Sequence, residues 1–289
     1  MRRSQRIAII TKVLSENPRK LFPLNYFTEE LGAAKSTISE DLALIKDTFN
    51  VYNLGEIQTI AGATGGVKLI PRLGEENIKK FLESFAERLT EKERVIPGGY
   101  IYMTDLIFNP NYANMVGEIF ATVYNHLEPD YIVTIETKGI PLAMSTARAF
   151  NVPLVIIRDD SKVTEGSAVS INYISGSTGR IRTMALARRS LPTGSKVLLI
   201  DDFMRAGGTA RGMKELMEEF KTEVLGIGVL VSTAEPEEKL VDDYLSLLVL
   251  ESVNEKEKKI VLKQGSWLQN NISEEYGNIG KIYEEKEGI

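Results

Sequence analysis

The sequence predicts an α/β chain in two parts: a small helical head closed by a β-hairpin, and a larger body built on a mostly parallel sheet. Three observations carry this. Apolar residues between positions 4 and 49 recur at helical spacing in three short runs, and two strand-like runs follow. From residue 131 onward, short apolar runs alternate with amphipathic helical stretches, as in βα repeats. Charge is unevenly divided: residues 1–73 hold 10 Lys and Arg against 7 Asp and Glu, and the remainder holds 25 against 33.

The chain has 289 residues, 43% hydrophobic and 26% charged, which suits a soluble protein of two domains, 1–73 and 74–289. No apolar run approaches the roughly 18 residues that span a bilayer. The basic start, Met1 to Arg6, lacks the apolar core of a signal peptide. There is no cysteine, so disulfides and thiolate metal sites are excluded. A cytoplasmic protein with no membrane contact is expected. A net +3 on the head and −8 on the body fits a DNA-binding module attached to something else.

In the head, Ile7, Ile10, Val13 and Leu14 place a first helix over 4–16, stopped by Asn17-Pro18. A second runs from Leu24 to Leu31 and stops at Gly32. A third opens at Lys35 or Ser36, where Ser36-x-x-Ser39-Glu40 approaches a capping pattern. Strands over 56–61 and 67–71 are linked by 62–66 as a hairpin tip. Helices followed by a hairpin make a winged helix. Lys35, Ser36, Thr37 and Ser39 would front the third helix in a major groove, with Lys68, Arg2, Arg3 and Arg6 on phosphates. The alternative is a helical protein-interaction module.

The body opens with an amphipathic helix over 75–92, which joins head to body or packs at a subunit contact. Pro97-Gly98-Gly99 breaks the chain ahead of a short strand holding Tyr102, a packed aromatic or a pocket wall. A helix over 111–126 and a strand over 131–135 lead to Thr137-Lys138-Gly139, a tight turn whose N–H groups and lysine suit a diphosphate. A strand over 152–157 precedes the charged stretch 158–164. Runs 169–174 and 181–184, joined by Ser175 to Gly179, form an antiparallel flap. Arg158, Lys162 and Arg180 are either pocket cations or solvated.

The densest signal is 197–209. The apolar run Val197 to Ile200 is a buried strand. Asp201 and Asp202 end it; Phe203, Met204, Arg205, Ala206, Gly207 and Gly208 turn; a helix opens near Thr209. A helix N-terminus accepts phosphate, and glycines let the backbone approach it. The acids repel phosphate, so they suit sugar hydroxyls or a magnesium ion. Strands over 224–231, 246–250 and 260–262 complete the sheet. Glu255 to Lys259 is a solvated turn, Trp267 packs, and the acidic residues 273–289 fray. With His126 alone, no serine–histidine–acid triad and no histidine metal site can be built.

The run Asp201 to Thr209 closely resembles the phosphoribosyl-pyrophosphate (PRPP) motif of type I phosphoribosyltransferases. Lys138-Gly139 resembles their pyrophosphate loop. The resemblance implies that the two acids hold the ribose hydroxyls, the loop holds the 5-phosphate, and the flap closes over PRPP. Winged helix and body together resemble the purine operon repressors of Gram-positive bacteria along most of the chain. This implies a homodimeric, non-catalytic DNA-binding repressor of purine genes with PRPP, with or without Mg2+, as inducer. Enzymes of the group commonly have Ala-Thr-Gly-Gly-Thr where this chain has Arg205-Ala206-Gly207-Gly208-Thr209. The hydroxyl missing at Ala206 weakens a phosphate site by only about 0.5–1.5 kcal/mol. The runner-up is an active adenine or xanthine phosphoribosyltransferase that also binds DNA. A diphosphate with a ribose, such as guanosine tetraphosphate, would compete at the pocket, with Tyr102 or Phe203 stacking on its base.

Overall fold

A computed structural model describes residues 1–62, 64–160, 166–174 and 179–265. Ala63, Lys162, the flap tip 175–178, Trp267 and the tail 273–289 lie outside the described residues.

The head comprises α1 (Arg3–Glu16), α2 (Leu24–Leu31), α3 (Lys35–Val51), β1 (Glu56–Ile60) and β2 (Gly66–Ile70). Gly32 ends α2 in the left-handed region, at φ 58°. Ile10, Leu14, Phe27, Ile38, Ile45, Ile57 and Val67 interlock as its core. The strands pair antiparallel from Glu56↔Ile70 to Ile60↔Gly66, and Phe22 bridges to Val67 on the other side of β2. The expected cap at Ser36 does not form. Ala34 is the N-cap, the helix starts a residue before Ser36, and Ser39 Oγ donates to the Lys35 carbonyl instead. A polar tie was not foreseen: Asp41 of α3, fully buried, accepts Arg3 Nε at 3.1 Å and Arg6 Nε at 2.7 Å from α1.

After the head come α4 (Glu75–Leu89), β3 (Val95–Ile96), β4 (Tyr100–Ile101), α5 (Thr104–Ile107), α6 (Pro110–Val123), β5 (Tyr131–Ile135), α7 (Ile140–Phe150) and β6 (Leu154–Ile157). The hairpin β7 (Ala168–Ile174) and β8 (Ile181–Ala187) precedes β9 (Lys196–Met204), α8 (Gly208–Glu219), β10 (Glu223–Thr233), β11 (Leu245–Asn254) and β12 (Lys259–Gln264). Six strands form one sheet in the order β12-β11-β10-β9-β5-β6, parallel except for β12.

The sheet is buried on both faces, which is why β9 is apolar from Val197 to Ile200. Leu198 and Ile200 join the core beneath α4, α6 and α7, while Val197 and Leu199 join the core beneath α8 and the hairpin. On α4, Ile78, Leu82, Phe85 and Leu89 are buried in the first core, each worth about 1.5–3 kcal/mol. That helix covers the sheet. Helices α6 and α7 touch backbone to backbone: a β-carbon on Gly117 would lie 2.5 Å from the Ser145 carbonyl carbon. From β5 the chain crosses to β6 on one side, then returns to β9 on the other. The topological switch point therefore lies between β5 and β9, where open α/β sheets bind ligands.

Candidate functional site

A cleft of about 420 Å³ opens at that point. Thr137 and Lys138 line it from the turn after β5. Asp201, Asp202, Phe203, Met204, Arg205, Gly207, Gly208 and Thr209 line it from the end of β9 and the start of α8. The acids lie inside the strand, where Asp201 pairs with Val229 and Phe203 with Val231, so the ladder fixes them. Gly207 caps α8 at φ 84°, and it lines the cleft with Gly208 and Thr209 of the first helical turn, whose N–H groups have no partner within the helix. The Ala206 carbonyl accepts the Leu240 N–H at 2.9 Å, which braces the loop from behind. Gly139 is buried below the turn, where any side chain would strike Thr134.

Burial, then the neighbouring Asp202 charge, raises Asp201 well above the usual carboxylate range. Burial also raises Asp202, opposed by its hydrogen bond with Asp201 and by the Lys138 charge. Such a pair ionises more readily when a ligand brings hydroxyl donors to it. Among the described residues, no group of three or more His, Cys, Asp or Glu could hold a metal ion. A magnesium ion at the acid pair would need ligand oxygens and water for most of its shell.

Four polar lining residues were given no role from the sequence: Glu136, Asp159, Tyr173 and Arg182. Arg182 of β8 pairs with Asp159 at 2.6 Å across the mouth. Tyr173 of β7 is buried beside Gly212 of α8, which leaves room for its ring. The described part of the flap is thus packed on α8 through Tyr173 and Met184. Arg158, read from the sequence as either a pocket cation or a solvated side chain, is not among the residues that line the cleft. It pairs with Glu136 at 3.3 Å, whose other oxygen accepts the Asp159 N–H at 2.8 Å.

A second cavity of about 390 Å³ adjoins the first and shares Lys138, Asp202, Phe203 and Arg205 with it. Tyr100, not Tyr102, forms its aromatic wall. Arg94 holds Tyr102 by both backbone groups, accepting its N–H at 2.8 Å and donating to its carbonyl at 3.1 Å, and so turns the chain away.

In the head, Lys35, Ser36 and Ser39 are exposed on the first turns of α3, and Thr37 and Lys68 are half-buried. Arg2 is exposed at the start of α1. Arg3 keeps half its side chain exposed while bound to Asp41, whereas Arg6 is largely covered.

Residues 2–71 match the family model described as the N-terminal part of the bacterial purine repressor, and residues 104–262 match the phosphoribosyl transferase domain. The chain is 50% identical to the purine biosynthesis transcriptional repressor PurR of Bacillus subtilis (strain 168), covering 93% of this chain and 94% of that one. It is 38% identical to the purine biosynthesis transcriptional activator PurR of Lactococcus lactis subsp. lactis, covering 92% and 98%. The body resembles the crystal structure of adenine phosphoribosyltransferase from Thermoanaerobacter pseudethanolicus, with a TM-score of 0.51 and 20% identity over 58% of this chain and 98% of that one. That last likeness speaks to fold alone. The relatives that span nine-tenths of the chain are regulators of transcription, and the chain belongs to the family of purine biosynthesis transcriptional repressors.

Proposed function

We propose that PRPP is the effector of this repressor, held without turnover in the cleft at the switch point. One arrangement carries the reading. The diphosphate-type turn after β5 and the acid pair of β9, followed by the glycine start of α8, border one cleft. Asp201 and Asp202 accept the ribose hydroxyls. The backbone N–H groups from Ala206 to Thr209 hold the 5-phosphate, with Phe203, Met204 and Arg205 as walls. Thr137, Lys138 and Gly139 hold the diphosphate, which would bring Mg2+ with it when the ion is present. Arg158 stays in the proposal only as a flanking charge, Lys162 rests on the sequence alone, and Arg182 joins Lys138 and Arg205 as a cation of the cleft.

The head binds operator DNA. Lys35, Ser36, Thr37 and Ser39 meet bases in the major groove, while Arg2, Arg3 and Lys68 meet phosphates. A cytoplasmic homodimer with paired half-sites is the natural form. PRPP favours an arrangement of the head that binds operator poorly, so the antagonism is reciprocal. Guanosine tetraphosphate competes at the same cleft. The second cavity supports this, since its Tyr100 and the shared Phe203 offer ring faces for a base.

Calorimetric titration of PRPP, with and without Mg2+, tests the reading. Saturable binding that disappears in Asp202→Ala is expected, and ligand at about 100 times its Kd should stabilise the fold by about 2.7 kcal/mol. Absence of binding to the wild type would dismiss PRPP. Nucleotide formed at enzymatic rates from PRPP and a purine base would restore the transferase alternative.

A further inference from the structure

Helix α7 has an informative position at each end. Its N-terminus follows directly on the turn 136–139 that borders the cleft. Its C-terminus, about 16 Å away at 1.5 Å per residue, is Phe150, which lies against Arg19 of the head. The Arg19 guanidinium lies over that ring, 4.3 Å from its centroid. Arg19 Nη2 also donates to the Ala121 carbonyl at 3.2 Å and to Asn125 Oδ1 at 3.0 Å, at the end of α6. On the head side, the Arg19 N–H donates to the Leu69 carbonyl of β2 at 2.6 Å, so the side chain moves with the wing.

Gly117 brings α6 and α7 into backbone contact at Ser145, and Ala121 of α6 and Phe150 of α7, the socket in which Arg19 seats, are buried in the same core. Arg19 Nε, by contrast, is buried with no hydrogen-bond partner among the described residues, and burial lowers the guanidinium to about 10. Beside the seat, a cavity of about 400 Å³ separates head from body, lined by Thr11, Phe49 and Leu69 on one side and by Glu118, Ser145 and Arg148 on the other. A head pinned by a partly satisfied arginine next to open space can pivot about that pin.

We propose that α7 carries effector occupancy from the diphosphate turn to the head, with Arg19 on Phe150 as the joint. The proposal rests on the PRPP reading above. When the turn closes on a diphosphate, α7 shifts with it, the socket shifts with α7, and Arg19 reorients the wing and recognition helix. Arg19 is a positioning residue: it touches neither effector nor DNA in this scheme, and its removal should alter the coupling between them more than either affinity.

The test uses the full chain. Operator affinity is measured by fluorescence anisotropy with and without saturating PRPP, and PRPP affinity by calorimetry, for wild type, Arg19→Ala, Arg19→Lys and Phe150→Leu. Wild type should lose operator affinity by a factor of about 5–150 on adding PRPP. Arg19→Ala and Phe150→Leu should keep each separate affinity within about threefold yet lose most of that factor, with Arg19→Lys intermediate. Should Arg19→Ala not fold, Phe150→Leu decides alone. A variant that binds both ligands and keeps the wild-type factor overturns the joint while leaving PRPP as effector. A wild type indifferent to PRPP overturns the effector reading and the joint with it.

Discussion

A β-carbon on Gly139 would stand 3.0 Å from Oδ1 of Asp201, and 2.3 Å from the Thr134 hydroxyl. The turn after β5 and the first acid of β9 thus share one contact surface, although they belong to different strands. Gly139→Ala should therefore push the two apart. PRPP affinity should fall at least about tenfold, with a stability loss of about 1–3 kcal/mol from overpacking. Calorimetry and denaturant unfolding check this; an unchanged affinity would mean that turn and acid work independently.

The raised Asp201 has a pH consequence. In the unfolded chain an aspartate titrates near about 3.9, and in the fold burial and the Asp202 charge lift it. Ionising it therefore costs stability as pH rises from about 4 through its folded value. Below about pH 4 the cost vanishes. Asp201→Asn should remove it, raising Tm by about 2–4 °C at pH 8 and by less towards pH 4, while PRPP binding is lost. A variant less stable than wild type at pH 8 would contradict this.

Arg3 and Arg6 share Asp41 but should differ in what they do. The Arg6 side chain is 12% exposed and the Arg3 side chain 52%. Arg6→Ala leaves a fully buried carboxylate short of a partner and should cost the head about 2 kcal/mol. Arg3→Ala should cost under about 1 kcal/mol and instead weaken operator binding, lowering the salt-dependence slope by about 1. Thermal melts and salt-titrated anisotropy separate the two.

Of the arginines near the cleft, Arg182 lines it and Arg158 does not. Arg182→Ala should weaken PRPP binding by roughly threefold to tenfold, a modest effect because its ion pair with Asp159 is half exposed. Arg158→Ala should act less, through the turn that Glu136 braces. The reverse ranking by calorimetry would return Arg158 to the site.

Local chemistry made most of this visible in the sequence. The strand over 131–135 and the stop at Gly32 follow from apolar runs and turn residues, and the structure has them there; the turn expected over 255–259 spans 255–258, because Lys259 already pairs with Asn254 in β12. The order acid pair, glycine turn, helix located the cleft because its groups are contiguous in the chain. What was missed comes from distant segments. Tyr173 and Arg182 reach the cleft because the hairpin folds onto α8, and Asp159 because β6 pairs with β5; the flap and the charged stretch 158–164 were marked from the sequence, but not these particular side chains. Asp41 looked like any polar residue of an amphipathic helix until Arg3 and Arg6 arrived from α1. Tyr102 and Tyr100 are equivalent in spacing, and the Arg94 contacts decide between them.

The most direct measurement is anisotropy of a labelled duplex from upstream of purine genes, with wild type, Asp201→Ala and Asp202→Ala, each with and without PRPP. All three proteins should bind the duplex, and PRPP should release wild type while leaving both variants bound. If either variant still releases the duplex on addition of PRPP, the metabolite acts somewhere other than the cleft between β5 and β9.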